Sequence, residues 1–230
     1  MGLAFDSGHY LALRDMSATS IGPAYRAVWH RDQGGRWSIF TTVAPHLSCP
    51  RYFGAAAAHI EQVQSIAVQW TGDHTFEVRM GTRLDWVVSL GATVPTRMMS
   101  TMGRAMPAQA WRSEGLLGGM GPMAEATLRS GRIRLHGSTP NGQHFRAAPV
   151  QIWRVIGSRA VLDGADLGDP GPLDRQTHLA DFWMPQRGIF FVGAFVTAAT
   201  DPGIVAAVAA RAAAEPGPAM DLSARPRGHG

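Results

Sequence analysis

Two short segments of the chain carry polar side chains suited to acid–base chemistry. In "HLADFW", His178 and Asp181 lie three residues apart, and on a helix this spacing brings a carboxylate beside an imidazole that it can orient. In "YRAVWHRD", Tyr25 shares one strand face with Trp29 and can place a hydroxyl in a cavity. Both patterns also suit ordinary roles, as a surface pair and as core aromatic residues. We take His178, Asp181 and Tyr25 as candidate catalytic residues.

A fourth candidate catalytic residue, Arg146, follows from a predicted hairpin. Asn141-Gly142 is the strongest turn signal in the chain, because both central positions of a type I′ turn require positive φ. With a two-residue loop, Gly137 faces Arg146 on the apolar side of the hairpin. A buried arginine needs an acceptor, either a protein carboxylate such as Asp85 or an anionic ligand. A longer loop with an odd shift would return Arg146 to solvent, so both alternatives stay open.

Methionine is concentrated between positions 97 and 123. The stretch "RMMSTMGRAMP" is followed by "LLGGMGPM", and unbranched thioethers conform to irregular apolar surfaces. Ordinary packing against a sheet is the alternative interpretation. The loop "HLSCPRYFG" adds two polar candidates beside the mouth of a cavity. The predicted ligand-binding residues are therefore Arg51, Tyr52, Trp86, Met98, Met102, Met106 and Met120.

The composition excludes several classes of enzyme. All 21 basic residues are arginine, so Schiff-base and pyridoxal-phosphate chemistry and an ordinary Walker A site, each of which needs a lysine amine, are ruled out. The nine histidines form no local zinc-binding motif, and "GLLGGMG" does not follow a strand as a dinucleotide fingerprint does. We therefore expect neither a metal nor a cofactor. Metal ligands assembled from distant strands are not tested by such local motifs.

Charge and targeting signals bound the partners and the compartment. The net charge of +4 permits nucleic-acid binding through Arg79, Arg132, Arg134 and His136, but the arginines are dispersed and no aromatic stacking motif accompanies them. Nucleic acid is therefore the least favoured partner. The N-terminal residues lack a secretory signal, and no apolar stretch reaches about 18 residues. We expect a cytoplasmic protein without a membrane span, for which a homodimer stays open.

Short apolar runs separated by turn residues must position these side chains. Clean two-residue alternation at Thr75 to Met80 is typical of a half-buried strand. The segment 44–62 reads as a loop with one helical turn. We predict a short helix at 175–183, two short helices within 95–128, a C-terminal helix at 204–214, and strands at 10–16, 23–31, 36–43, 64–70, 74–80, 84–90, 131–139, 144–156, 159–164 and 188–196.

So many short strands favour a mainly β protein in which an antiparallel barrel closes the sheet, because closure removes exposed strand edges. A two-sheet sandwich is the alternative. We expect one barrel domain over residues 1–198, with the helical insertion at 95–128. Residues 199–230 are expected to form the C-terminal helix and a flexible tail rich in Pro and Gly.

Several segments carry a resemblance to other proteins. The run "GPAYRAVWHRDQGGRWSIF", with "SCPRYFG", "PNGQHF" and "PQRGIF", resembles a set of uncharacterised actinobacterial proteins over roughly residues 10–196. That set implies no activity for any residue here. At the level of architecture alone, the predicted barrel is similar to lipocalin-like barrels, which include carriers of hydrophobic molecules and also cyclases and hydratases.

These observations predict a cavity that binds an apolar small molecule. As an enzyme, the protein would be a cofactor-independent isomerase, cyclase or hydratase that uses acid–base groups in a water-poor site. The alternative is a carrier or sensor with the same cavity and no turnover. Convergence of polar groups such as Tyr25, Arg146 and His178 on one cavity would favour the enzyme.

Overall fold

The alternating strands of the chain assemble into one large sheet, seen in a computed structural model that describes residues 1–197. Two helices pack beside it, and a short two-stranded hairpin forms a separate sheet. The elements are β1 Gly2–Ala4, β2 Tyr10–Met16, β3 Tyr25–Arg31, β4 Trp37–Thr41, α1 Pro50–Phe53, β5 Ala57–Gln62, β6 Ala67–Gly72, β7 Thr75–Met80, β8 Leu84–Gly91, α2 Val94–Ala105, α3 Glu114–Leu128, β9 His136–Ser138, β10 His144–Leu162, β11 Ala165–Asp166, β12 His178–Leu179, β13 Phe182–Trp183 and β14 Ile189–Thr197.

The sheet is a single path of hydrogen-bonded strands. Its order is β5-β4-β3-β2-β1-β14-β10-β8-β7-β6, and β9 and β11 pair with the two ends of β10. All pairs are antiparallel except β4 with β5. Within residues 1–197, β5 and β6 are both edges and do not pair with each other, so the predicted closure into a barrel is not confirmed. The mainly β class is confirmed.

Apolar side chains fill both faces of the strands near the N-terminus. Leu11 and Leu13 of β2 pack in one cluster with Phe76 and Trp86 from β7 and β8, so the two wings of the sheet curl toward each other. The opposite face of β2 belongs to a second cluster, which contains Trp29. Because strand side chains alternate, β2 is buried on both faces over most of its length. Two smaller clusters fill the space between the sheet and the helices.

The two helices confirm the predicted helical insertion at 95–128. Thr93 caps α2 with a reciprocal capping box that involves Thr96, and Ser113 caps α3 by accepting a hydrogen bond from the Leu116 backbone. Ser100 of α2 accepts a hydrogen bond from the backbone N–H of Ile152 at 2.9 Å. That N–H lies beside a bulge in β10, and the serine joins the helix to the irregular strand.

The hairpin before β10 corrects the predicted position of Arg146. The backbone N–H of Thr139 donates to Gln143 O at 2.8 Å, and the backbone N–H of Gln143 donates to Thr139 Oγ1 at 3.2 Å, across a three-residue loop in which Gly142 has φ 83°. This register pairs Arg146 with His136 instead of Gly137. The buried Leu135 now shares a face with Ala147 and Phe145, and Arg146 lies on the other face with His136. Of the two alternatives, the longer loop with an odd shift is therefore the one observed, and Arg146 does not face the apolar interior.

The predicted helix at 175–183 is also wrong. Leu179 and Phe182 face each other across the β12–β13 hairpin, and both are buried. Two residues that pair across a two-residue turn have the same i, i+3 spacing as neighbours on a helix, which is why the sequence pattern was ambiguous. Ala180 takes φ 53° at the turn.

Other boundaries differ from the predicted ones. The edge strand β5 falls where the sequence indicated a loop, and the predicted strands 144–156 and 159–164 are one 19-residue strand, β10. Only three residues of the predicted strand 131–139 form β9. The predicted C-terminal helix and tail lie outside the described residues. Among residues 1–197 no helix has the length and apolar character needed to cross a membrane.

Candidate functional site

A cavity of about 690 Å³ opens between the end of β2 and the strand β14. The short strand β1 separates these two strands as far as the pairs of Gly2 with Ala12 and with Ile189. Past those pairs β2 and β14 continue without a strand between them, and the cavity lies in this gap. Its deep wall is formed by Arg14, Tyr25, Trp29, Cys49, Tyr52 and Phe53.

Arg14 is the most unusual group in this wall. Its guanidinium makes no hydrogen bond or ion pair with any other residue in the part of the chain that the structure describes. Burial lowers the pKa of Arg14, and the groups that oppose this effect are Cys49, Tyr10 and Tyr25, none of which is a carboxylate. An arginine stays charged even so. Among the described residues, the cavity therefore contains a cation without an anionic partner.

Aromatic rings hold the Arg14 guanidinium in place. Its central carbon lies 4.7 Å from the centroid of the Trp29 ring and 5.0 Å from that of Phe182. Both rings belong to an aromatic group in which Trp29 also packs on Phe53 at 4.7 Å. Cation–π contacts of this kind are worth about 0.5–2 kcal/mol and fix the orientation of the planar group. They leave its N–H donors free for a ligand.

Beside Arg14 lie two groups that keep their protons at neutral pH. Burial raises the pKa of the Cys49 thiol from 9.0 to about 11, although hydrogen bonds from Trp29 and Tyr25 oppose the shift. The indole N–H of Trp29 donates to Cys49 Sγ at 3.1 Å. Burial also raises the pKa of the Tyr25 hydroxyl. Neither group acts as a nucleophile or a base at neutral pH. Both contribute mainly apolar surface to the cavity wall.

Cys49 should therefore react slowly with a thiol reagent, and its rate should depend on pH over an unusually wide range. Only the thiolate reacts, so a raised pKa makes the rate climb by about tenfold per pH unit well past pH 9. We expect alkylation by iodoacetamide, followed by mass spectrometry, to show no plateau up to pH 10. The same chain in urea provides the control and should level off near pH 9. A plateau in the folded protein near the ordinary value would contradict the assignment.

Three of the predicted site residues line this cavity. They are Tyr25, Arg51 and Tyr52. Arg51 donates a hydrogen bond to the backbone oxygen of His46 at 3.3 Å, and Tyr52 is buried in the same cluster as Trp29. Tyr25 lies at the start of β3, on the face that the alternation predicted.

The predicted aromatic and methionine residues lie elsewhere. Trp86 is fully buried and donates to Ser158 Oγ at 2.8 Å. Met98 is 57% exposed, whereas Met102, Met106 and Met120 pack between the helices and the sheet. Met99 lines a smaller cavity of about 100 Å³, to which Arg14 also belongs. The methionine region therefore serves mainly as packing between the helices and the sheet.

The other three catalytic candidates are not brought together with Tyr25. Arg146 donates to the backbone oxygen of Arg112 at 3.2 Å. The ring of His178 stacks on Trp183 with centroids 4.4 Å apart, and its Nδ1 lies 2.8 Å from Ala180 O. Asp181 pairs with Arg134 and accepts a hydrogen bond from the Ser138 backbone at 3.0 Å. None of the three lines the large cavity.

The sequence interpretation overlooked Arg14, although a signal for it was present. In "YLALRDM" the alternation places Arg14 on the same strand face as Tyr10 and Ala12, which are both buried. An arginine that continues a buried face is the pattern of an anion site or a buried ion pair. The acidic neighbour Asp15 points to the other face and pairs with Arg26 at 3.2 Å.

Comparison with protein-family models, with curated proteins and with solved structures finds no match to this chain. The resemblance to actinobacterial proteins and to lipocalins thus stays a prediction.

Proposed function

We propose that the protein binds a small apolar molecule that carries a carboxylate or a similar anion. The observation that carries the proposal is the unpaired Arg14 guanidinium at the wall of a cavity of about 690 Å³, a size ordinary for small-molecule sites. A bidentate carboxylate would satisfy the planar fork of donors that the described protein residues leave open. Phe190, Phe191 and Phe195 supply apolar lining for the rest of such a molecule.

The chemistry of the lining favours binding over turnover. An isomerase, cyclase or hydratase without a cofactor needs a group that exchanges a proton near neutral pH. No histidine is among the described residues that line the cavity, and its carboxylate, Asp15, pairs with Arg26 near the surface. Tyr25 and Cys49 hold their protons because burial raises the pKa of each. We therefore propose a carrier or sensor, with a curled and lipocalin-like sheet as its container.

A matched pair of ligands tests the proposal. Laurate and dodecanol have the same alkyl chain, and only laurate carries an anion that can pair with Arg14. We expect the protein to bind laurate more tightly than dodecanol by about 30-fold or more, because charge-assisted hydrogen bonds contribute about 1.5–3 kcal/mol. Isothermal titration calorimetry with both ligands measures the ratio directly.

Two other outcomes of this experiment would each contradict a different part of the proposal. Equal affinity for the two ligands would show that the cavity takes apolar molecules without using the arginine, and would overturn the anion-binding proposal. An absence of binding for both would overturn the small-molecule proposal as a whole. Dodecyltrimethylammonium, with the opposite charge, should bind more weakly than either.

A further inference from the structure

Three side chains with metal-binding atoms lie together on the outer face of β10. His144 is on this strand and His136 is on the paired strand β9, while Glu114 is the first residue of α3. Phe145, next to His144, points to the opposite face and into the cluster that contains Trp29. None of the three residues lines the proposed ligand cavity.

The fold places the two histidines as diagonal neighbours. Ser138 pairs with His144 and Arg146 pairs with His136, so the histidines share one face of the ladder, two residues out of step. Diagonal pairs are within reach of large side chains, and the ring centroids are 6.2 Å apart. The α3 helix comes close to His136 at Gly118, which has no side chain. A Cβ atom there would lie 3.4 Å from His136 Nε2.

The distances between the ligand atoms suit a single ion. One ligand atom each from Glu114, His136 and His144 lies within 4.8 Å of the other two, and His144 Nε2 is 3.0 Å from Glu114 Oε1. Two ligands of a tetrahedral Zn²⁺ ion, each about 2.0–2.1 Å from the metal, are about 3.4 Å apart. The 3.0 Å separation is slightly shorter than the required one, and the other two do not exceed 4.8 Å.

The His144 nitrogen is also unsatisfied without an ion. Its Nε2 atom is closed to solvent and has no hydrogen-bond partner within residues 1–197, although Glu114 Oε1 lies at ion-pair distance. The contact has the separation of a hydrogen bond without its angles. A buried polar atom without a partner is unfavourable, by about 1–3 kcal/mol. A metal ion between the two groups would give both a partner.

We propose that Glu114, His136 and His144 form a binding site for a divalent transition-metal ion, with Zn²⁺ as the best fit. Two imidazoles and one carboxylate are ligands that Zn²⁺ prefers, and three protein ligands leave its fourth position to water or to another molecule. The carboxylate offsets part of the ion's charge. Arg146 shares the face, but its guanidinium is directed to the Arg112 carbonyl oxygen at 3.2 Å.

Metal titration of the full chain, purified without a polyhistidine tag and treated with a chelator, tests this site. We expect calorimetry to show one equivalent of Zn²⁺ bound. Replacing one ligand, as in His136→Ala, His144→Ala or Glu114→Gln, should weaken binding by about 100-fold. Added Zn²⁺ should raise the melting temperature of the wild type and not that of the three variants. Co²⁺ in place of Zn²⁺ should give visible absorption typical of a low-coordinate site.

Matched controls separate this site from other histidines and acids. His178→Ala and Glu125→Gln remove exposed groups of the same types, and Glu125 lies on the same helix as Glu114. Both controls should bind Zn²⁺ as the wild type does. Lack of Zn²⁺ binding by the wild type would overturn the proposal. It would also be overturned if His136→Ala and His144→Ala both bound Zn²⁺ with the affinity of the wild type. If an alanine variant loses its circular-dichroism spectrum, Glu114→Gln alone decides, since its exposed side chain can change without loss of the fold.

Discussion

Replacing Arg14 by methionine is expected to make the ligand-free protein more stable and, at the same time, to weaken its binding of laurate by about 100-fold. Methionine keeps an unbranched apolar stem but removes a partly buried cation that has no anionic partner among the described residues. Removing such a charge relieves its desolvation cost, which outweighs the two cation–π contacts with Trp29 and Phe182. We expect the free energy of unfolding to rise by about 1–2 kcal/mol.

Opposite effects of one substitution on stability and on binding distinguish a functional arginine from a structural one. Urea denaturation gives the free energy of unfolding, and calorimetry with laurate and dodecanol gives the affinities. The variant should bind dodecanol as the wild type does, because the apolar walls are unchanged. Arg159→Met provides the control, since this arginine is exposed on β10 and pairs with Asp166. A loss of stability together with unchanged laurate binding would assign Arg14 a structural role and contradict the proposal.

Among the substitutions considered for this cavity, replacing Trp29 by alanine is expected to lower the free energy of unfolding the most. Trp29 is fully buried, and its ring contacts Trp37, Phe53 and Phe182 in the aromatic group below the cavity. Truncation of a buried tryptophan removes this packing and leaves a hole, at a cost of about 3–5 kcal/mol. It also removes the N–H donor to Cys49 and one of the two rings that hold Arg14. Laurate binding should therefore fall as well.

Trp70 offers a control of the same residue type. It lies on the edge strand β6 and is 51% exposed, although it touches Phe76 and Phe190. Trp70→Ala should cost about 1 kcal/mol or less, because most of its surface is already in water. Denaturation in urea with circular dichroism compares the two variants. Similar losses for both would contradict the assignment of Trp29 to the centre of the core.

Local patterns in the sequence predicted most strands, because two-residue alternation reports directly on which face is buried. The strand β2 has the predicted bounds, Tyr10–Met16, and β7 and β8 differ from theirs by one residue. The pairing of strands from distant segments leaves no comparable pattern in the sequence of either strand. The parallel pairing of β4 with β5 and the joining of two predicted strands into β10 depend on contacts that a single segment does not encode.

The residues of the candidate site were predictable only where they depended on local patterns and not on the pairing of strands. Tyr25, Arg51 and Tyr52 were predicted from residue type and from a loop position, and they line the cavity. Arg146 was chosen from the assumed length of one loop, and one extra residue in that loop was enough to turn it to the outer face. Arg14 needed no such assumption, because the bounds of its strand were predicted correctly. Extending the two-residue alternation from Tyr10 and Ala12 by one more step would have placed Arg14 on the buried face.

The long strand β10 has a consequence for how the molecule can be divided. Each of the four apolar clusters contains at least one of its residues: Phe145, Ala147, Ile152, Ala160 and Leu162 are distributed among them. At about 3.3 Å per residue, its 19 residues reach roughly 60 Å, less the shortening at two bulges. Cleavage of the chain anywhere along β10 would thus divide a strand that all four clusters share. No fragment that ends within β10 contains every residue of the four clusters.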